Sequence, residues 1–281
     1  MITIKDIDRD DCTGFLGNKL FMIFAAYDLS IANNDVLVLP DFEFNNLFDY
    51  GFYRISSKSN LKIDSEYIEP FFHYQKIPYS NNMNLVGYFQ SEKYFQNITH
   101  LFDLVFTPNA KLKSDILNST VIIDKYEDTK ITYDKLFKNY KTCSIHIRRG
   151  DFISLASHHP LLPESYYREA IEKIYYDVDY FLICSNDISW CKTVFVDKKF
   201  IFSETKQEKP QGNISAAFDM FLMSFCDNHI IANSSFSWWS AYLNLSPYKT
   251  VYCPGDKYKW FGPALAHHET KDLYPESWVK L

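Results

Sequence analysis

Arginine is scarce in this chain. Of its 29 Lys and Arg residues only Arg9, Arg54, Arg148, Arg149 and Arg168 are arginines, and two of these stand side by side. No surplus of positive charge compensates, since the formal net charge is -6 and the pI about 5.8. That balance excludes partners held through a general phosphate field, nucleic acid and anionic bilayers among them. Any anionic ligand has to be gripped locally. Long apolar runs are missing as well. The longest, from Leu20 to Tyr27, is far short of the roughly 20 residues that span a bilayer. No basic segment leads into an apolar one at the start, so neither a membrane span nor a secretory leader is expected. The six cysteines (Cys12, Cys143, Cys184, Cys191, Cys226, Cys253) show no CxxC and no Cys/His ligand spacing. Several lie inside apolar runs and read as buried free thiols of a reducing compartment. Sequons occur at Asn97, Asn118, Asn213, Asn233 and Asn244. The one at Asn233 falls in a candidate ligand site where a glycan would block binding, which suits a chain kept from the glycosylation machinery. A cytoplasmic location is the expectation. Internal repeats, low-complexity tracts and Pro/Gly-rich linkers are absent, and neither GxGxxG nor GK[ST] occurs, which removes the Rossmann dinucleotide and Walker readings.

What is abundant is apolar and aromatic. Hydrophobic residues make up 47% of the chain, with 24 Phe, 21 Tyr and 5 Trp, enough to outweigh chain entropy and exclude a disordered protein. A length of 281 residues corresponds, at roughly 150 per domain, to about two domains or one large α/β domain. In the second half, strand patterns at 143–147, 180–185, 199–203, 229–233 and 250–253 alternate with helix patterns at 165–176, capped by Ser165, and at 214–226. Strands interleaved with helices predict a parallel, doubly wound α/β sheet whose ligand lies beyond the strand carboxyl ends. The first half opens similarly, with a strand at 2–7, a loop to Asn18, a helix to about Ala32 and a strand at 36–40. Residues 41–140 follow no clear pattern, and 110–140 suggest surface helices or hairpins without an assignable place. The natural boundary is near 140.

Chemistry gathers at four points. A strand candidate runs into His146, Arg148, Arg149, Gly150 and Asp151. Arginine offers a rigid fork of donors for phosphate oxygens, and glycine lets backbone approach a ligand, so the pair is suited to clamping a diphosphate. Neighbouring strand residues face opposite ways, so one arginine is expected on the ligand and the other on Asp151 or in packing; a surface Arg–Asp turn is the bland alternative. Next, a buried strand delivers Ser185, Asn186 and Asp187 just before a helix. Asp187 there suits a guanine N1–H and amino pair or ribose hydroxyls, or simply serves as a helix cap. Third, a strand ends in Asn233, Ser234, Ser235 and Phe236 ahead of an aromatic helix, whose N-terminal amides suit phosphate; Ser234 as a plain cap is the alternative, and Trp238 and Trp239 read as core. Fourth, Gly14 and Gly17 join the first strand to the first helix, with Asn18 able to cap that helix. Two DxD triplets, Asp6–Asp8 and Asp177–Asp179, read as turn chemistry, and no metal site is expected.

These motifs together carry a resemblance. The set GxxGNxLF from Gly14, GYFQSEKYF from Gly87, HIRRGDF from His146, SND followed by WC, IIANSSFSWWSAYL from Ile230, and the closing VYCPGDKYKWF and LYPESWVKL stretches keep their order over nearly the whole chain. They resemble the α-1,2-fucosyltransferases of glycosyltransferase family 11. The resemblance implies a metal-independent, inverting enzyme of GT-B type, with two Rossmann-like doubly wound domains facing a central cleft. Residues 1–140 would form the acceptor side and 141–281 the GDP-fucose side. It implies GDP-β-L-fucose as donor substrate, no cofactor, and a galactose-type glycan acceptor. By motif position, His146, Arg148, Arg149 and Asp151 belong to the donor-phosphate region, Asn186, Asp187, Ser234 and Ser235 to the nucleotide pocket, and Asn18 to the interdomain loop. Asn233 and Phe236 flank the same motif. Two departures stand out: GGLGNQ reads here Gly14-Phe15-Leu16-Gly17-Asn18-Lys19, and SDD reads Ser185-Asn186-Asp187. Phe15 and Lys19 are expected to face the entering acceptor. For the base that accepts the acceptor's proton, His158, His159, Asp10 and Asp11 are the candidates, with His159 carried as catalytic. The rival readings are a GDP-binding lectin-like protein without turnover and a metal-dependent GT-A transferase using a DxD triplet.

Overall fold

The computed structural model describes residues 1–9, 15–44, 53–55, 60–102, 108–124, 127–203 and 213–281. Asp10, Asp11, Cys12 and Gly14 lie outside the described residues. The chain divides into two compact units, Met1–Asn109 with His268–Pro275, and Ala110–His267 with Glu276–Leu281.

In the first unit, strand β1 (Ile2–Thr3) precedes helix α1 (Leu16–Ala32), which is followed by β2 (Val38–Pro40), β3 (Tyr53–Ile55), β4 (Ser65–Ile68) and β5 (Met83–Val86). The strands form a sheet of order β1-β5-β4 and a β2-β3 pair, with every pairing parallel. The first strand is shorter than its alternating pattern suggests, because Ile7 N already bonds back to Ile4 O and Arg9 N to Asp6 O. Helix α1 buries residues all round its circumference, from Leu16 and Leu20 to Phe24 and Ala26, as a core helix must. Its Phe24 ring packs with those of Phe95 and Phe102, the three centroids lying 4.5–6.1 Å apart. The helix ends where Asn34 takes a left-handed φ of 51°, a conformation asparagine tolerates. Its start differs from expectation. Phe15 is the N-cap residue and offers no side-chain bond, whereas Asn18 lies within the first turn.

The second unit opens with α2 (Ala110–Asn118), an antiparallel hairpin of β6 (Thr120–Asp124) and β7 (Thr129–Thr132), and α3 (Tyr133–Asn139), which Thr132 caps by accepting from Lys135 N. This is the segment the sequence pattern leaves unplaced. There follow β8 (Thr142–Ile147), α4 (Glu164–Ile174), β9 (Tyr180–Ser185), α5 (Ile188–Val194), β10 (Phe200–Phe202), α6 (Asn213–Ser224), β11 (Asn228–Ile230), α7 (Ser235–Tyr242), β12 (Val251–Cys253) and β13 (Val279–Lys280). Helix α4 begins one residue earlier than expected, with Pro163 at its N-cap position, so Ser165 is inside the helix; Tyr166, Ala170 and Ile174 are buried as their spacing predicts.

Six strands form one parallel sheet, ordered β10-β9-β8-β11-β12-β13. All six residues of β8 are buried, the mark of a strand covered on both faces. The chain builds outward from β8 through β9 to β10 on one side, then returns to lay β11 against the other side of β8. The order therefore reverses between β8 and β11, and the crevice beyond their carboxyl ends is where ligands of such sheets bind. Among the described residues no helix is long and apolar enough to cross a membrane.

Candidate active site

Beyond β8 the chain enters a single 3-10 turn, Gly150–Ile153, and the β8 and β9 loops interlock there. Arg148 Nη2 donates to Asp151 Oδ2 at 2.8 Å. Arg149 is held from three directions: its backbone N donates to Asn186 Oδ1 at 3.0 Å, its Nε donates to Asp187 Oδ2 at 3.1 Å, and its guanidinium carbon lies 3.9 Å from the centroid of the Trp190 ring. Asn186 Nδ2 reaches back to Asp151 Oδ1 at 3.4 Å. The need for Gly150 is steric, since a Cβ there would sit 2.3 Å from Asn186 Nδ2. Asp187 both caps α5, accepting from Trp190 N at 3.1 Å, and holds Arg149. The two guanidinium groups are thus balanced by two carboxylates, so what the cluster could offer an anion is directed donors rather than net charge.

Next to this cluster stands the carboxyl end of β11. Tyr166 OH donates to Ile231 O at 2.6 Å and so pins the chain as it leaves the sheet. Asn233 Nδ2 donates to Pro160 O and Trp260 O, tying the loop that carries His159 to the closing segment. Ser234 occupies the N-cap position of α7 in extended conformation, and its hydroxyl makes no cap bond; it is not the plain cap of the bland alternative. The Phe236 ring lies 5.1 Å from His146, and His159 stacks on Phe152 at 5.0 Å. Three buried polar atoms in this region, His146 Nδ1, His159 Nδ1 and Asn233 Oδ1, have no hydrogen-bond partner among the described residues. Buried polar groups are nearly always paired, so their concentration at the sheet's switch point suits a polar ligand. Burial, followed by the charge of Arg148, pushes the His146 imidazole down to about 3. Burial and the neighbouring His158 also lower His159. Both rings are neutral near pH 7.

All the nominated residues of the second unit are in this neighbourhood; Asn18 belongs to the first unit, where its Oδ1 accepts from Gln90 Nε2 at 2.9 Å. Phe15 is 67% exposed. Lys19 corrects its expectation: its side chain is fully buried, with Nζ 3.8 Å from Glu43 Oε1, because the core helix that carries it is buried all round. It is no cation at an acceptor mouth. Trp190 and Phe152 are not among the candidate site residues read from sequence, although both lie inside motifs that carry the resemblance, the WC pair after SND and the HIRRGDF stretch. Trp238 and Trp239 are core, as expected. No group of three or more potential metal ligands occurs among the described residues, and in the second DxD triplet Asp179 accepts from Lys141 N. A cavity of about 930 Å³ is lined by the β6–β7 hairpin, the edge strand β10 and nearby side chains such as Tyr180 and Phe195, and by none of the residues of this cluster.

A family model described as glycosyl transferase family 11 matches residues 33–280. The O-antigen biosynthesis glycosyltransferase WbnK of Escherichia coli is 31% identical over 249 residues, covering 86% of this chain and 73% of its own. An alpha-1,2-colitosyltransferase of Escherichia coli is 28% identical over 310 residues, covering 95% and 96%. Among solved structures, POFUT1 in complex with GDP-fucose superposes with a TM-score of 0.53 at 9% identity, covering 89% of this chain and 97% of that one. That likeness extends to the α/β fold with parallel sheets.

Proposed function

Starting from a chain that belongs to glycosyl transferase family 11 and is therefore a glycosyltransferase, we propose that it transfers L-fucose from GDP-β-L-fucose, with inversion, to the 2-hydroxyl of a galactose-type sugar on a glycan. The observation that carries the donor half is the pinned Arg149, whose terminal Nη atoms have no partner among the described residues, set beside Arg148 at the switch point of a parallel sheet. The fold it shares with a protein crystallised with GDP-fucose supports the same reading.

As the sugar–phosphate bond breaks, positive charge grows on the fucose ring and negative charge on GDP. Arg148, Arg149, the α7 N-terminus with Ser234 and Ser235, and His146 are assigned to the diphosphate. Asn186 and Asp187 border the nucleotide and act through the arginines, while Asn233 and Phe236 shape the pocket. Fixed donors aimed at developing charge contribute about 3–4 kcal/mol each in comparable sites, which gives a route without a divalent ion. His159, neutral and stacked, is assigned the proton of the acceptor hydroxyl. Following the resemblance, the acceptor falls to residues 1–140, with Phe15 offering a stacking face and Asn18 a polar one, and the donor to 141–281.

The test is product formation from GDP-fucose with a panel of galactosides, with NMR assignment of the linkage, for wild type, Arg148→Ala and Arg149→Ala, each with and without excess EDTA. Arg148→Ala is expected to abolish transfer and EDTA to leave the wild type active. Retention of more than about a tenth of wild-type turnover, a loss below about 1.4 kcal/mol, would remove Arg148 from the role; loss of activity in EDTA would favour a metal-dependent route. A second donor is favoured by one observation, the relative named for colitosyl transfer that covers 95% of this chain. Direct competition between GDP-colitose and GDP-fucose separates the two.

A further inference from the structure

We propose that Trp190 and Asp187 are positioning residues that hold Arg149 so that its two terminal nitrogens remain available to the diphosphate of a nucleotide, a role that rests on the donor site proposed above. The two arginines are not equivalent. Arg148 commits one terminal nitrogen to Asp151, whereas among the described residues the Arg149 side chain is hydrogen-bonded through Nε alone, its backbone N donating to Asn186 and its backbone O accepting from Ile153 N. An arginine tethered through Nε keeps the planar fork that matches phosphate oxygens. The tether is closed on itself: Asp187 Oδ1 accepts from Trp190 N at 3.1 Å, Asp187 Oδ2 accepts from Arg149 Nε at 3.1 Å, and the Trp190 ring underlies the same guanidinium at 3.9 Å. One carboxylate therefore orients both the helix turn carrying the indole and the arginine lying on it. A long, rotatable side chain held this way loses little freedom when an anion binds.

Calorimetric GDP binding, donor KM and kcat, and guanosine binding by ligand-observed NMR on the full chain test the proposal. Trp190→Leu removes the aromatic face while leaving the backbone cap, and is expected to weaken GDP binding and raise donor KM by about fivefold to tenfold, the range of a partly desolvated cation–π contact. Guanosine binding should not move, and Trp190→Phe should recover most of the loss. Asp187→Asn retains a good helix cap and is expected to show the same GDP-selective loss, which keeps the test valid should Trp190→Leu fold poorly. In the Arg149→Ala background, Trp190→Leu should cost nothing further. Equal losses for GDP and guanosine, an additive double variant, or full GDP affinity in both Trp190→Leu and Asp187→Asn would overturn the positioning role. Full GDP affinity in Arg149→Ala would instead overturn the diphosphate reading beneath it.

Discussion

Gly150 and Asn186 show how closely single residues are fitted at this site. Asn186 spends its oxygen on Arg149 N and its amide on Asp151, and it can do so only because residue 150 has no side chain. Gly150→Ala is expected to push the Asn186 amide aside and break the bond to Arg149 N. With one hydrogen bond worth about 1 kcal/mol, the donor KM should rise about fivefold while the thermal midpoint barely moves; steady-state kinetics alongside a melt checks both. His159 makes a second prediction. Burial and His158 hold its pKa below the ordinary 6.5, so as a proton acceptor it is competent at neutral pH and is lost as pH falls through that lowered value. The acid limb of kcat/KM should therefore lie below pH 6.5, and His159→Gln should remove that limb along with most of the rate. A pH profile of the variant matching that of wild type would take His159 out of the reaction.

Among the elements, β4 and β5 are joined by a device that the sequence pattern does not announce. Glu69, just past β4, accepts from Tyr88 N and Phe89 N through Oε2 at 2.7 and 3.0 Å. The turn that presents those amides has Gly87 at φ 152° and Phe89 at φ 53°. A Cβ on Gly87 would lie 2.3 Å from Glu69 Cβ, and the backbone there is one that L residues avoid. Gly87→Ala should cost about 2 kcal/mol or more through combined strain and overpacking, measured as a lowered denaturation midpoint. Helix α5 is the opposite case, since its Asp187 cap was one of two readings available from sequence. The structure shows the cap, and the same carboxylate also holds Arg149, because it has two oxygens and each is used.

For the whole molecule, the two units carry buried titratable groups of opposite consequence. In the first, burial raises Glu69 to about 7 from 4.5, so the folded state holds its proton more tightly than the unfolded state. Its contribution is present below pH 4.5 and lost as pH climbs through 7. In the second, burial lowers His146 and His229 to about 3 from 6.5, so the unfolded state binds those protons more readily. Their contribution is present above pH 6.5 and is lost as pH falls towards 3. Each is worth on the order of a few kcal/mol across its window. Unit-resolved hydrogen exchange from pH 4.5 to 8 should show the first unit weakening towards neutrality and the second towards acid, with Glu69→Gln flattening the former slope. Parallel slopes in the two units would contradict the assignment.

The local pattern of residues determined the alternation of strand and helix from 142 to 253, the buried strands β8 and β9 almost to the residue, and the arginine, asparagine and serine positions that mark the family. Those features are periodic or contiguous, and side-chain burial at spacings of two, three and four follows from backbone geometry alone. Tertiary structure decided who holds whom. Arg149 meets Asp187 across 38 residues and Asn18 meets Gln90 across 72, and no periodicity encodes a partner so distant. It also decided that Lys19, expected to face the entering acceptor, is buried along its whole side chain, with its Nζ 3.8 Å from the partly exposed Glu43. The return of the chain to lay β11 against β8, which creates the crevice, depends on which strands pair, and that is settled by packing of the whole sheet rather than by any one segment of it.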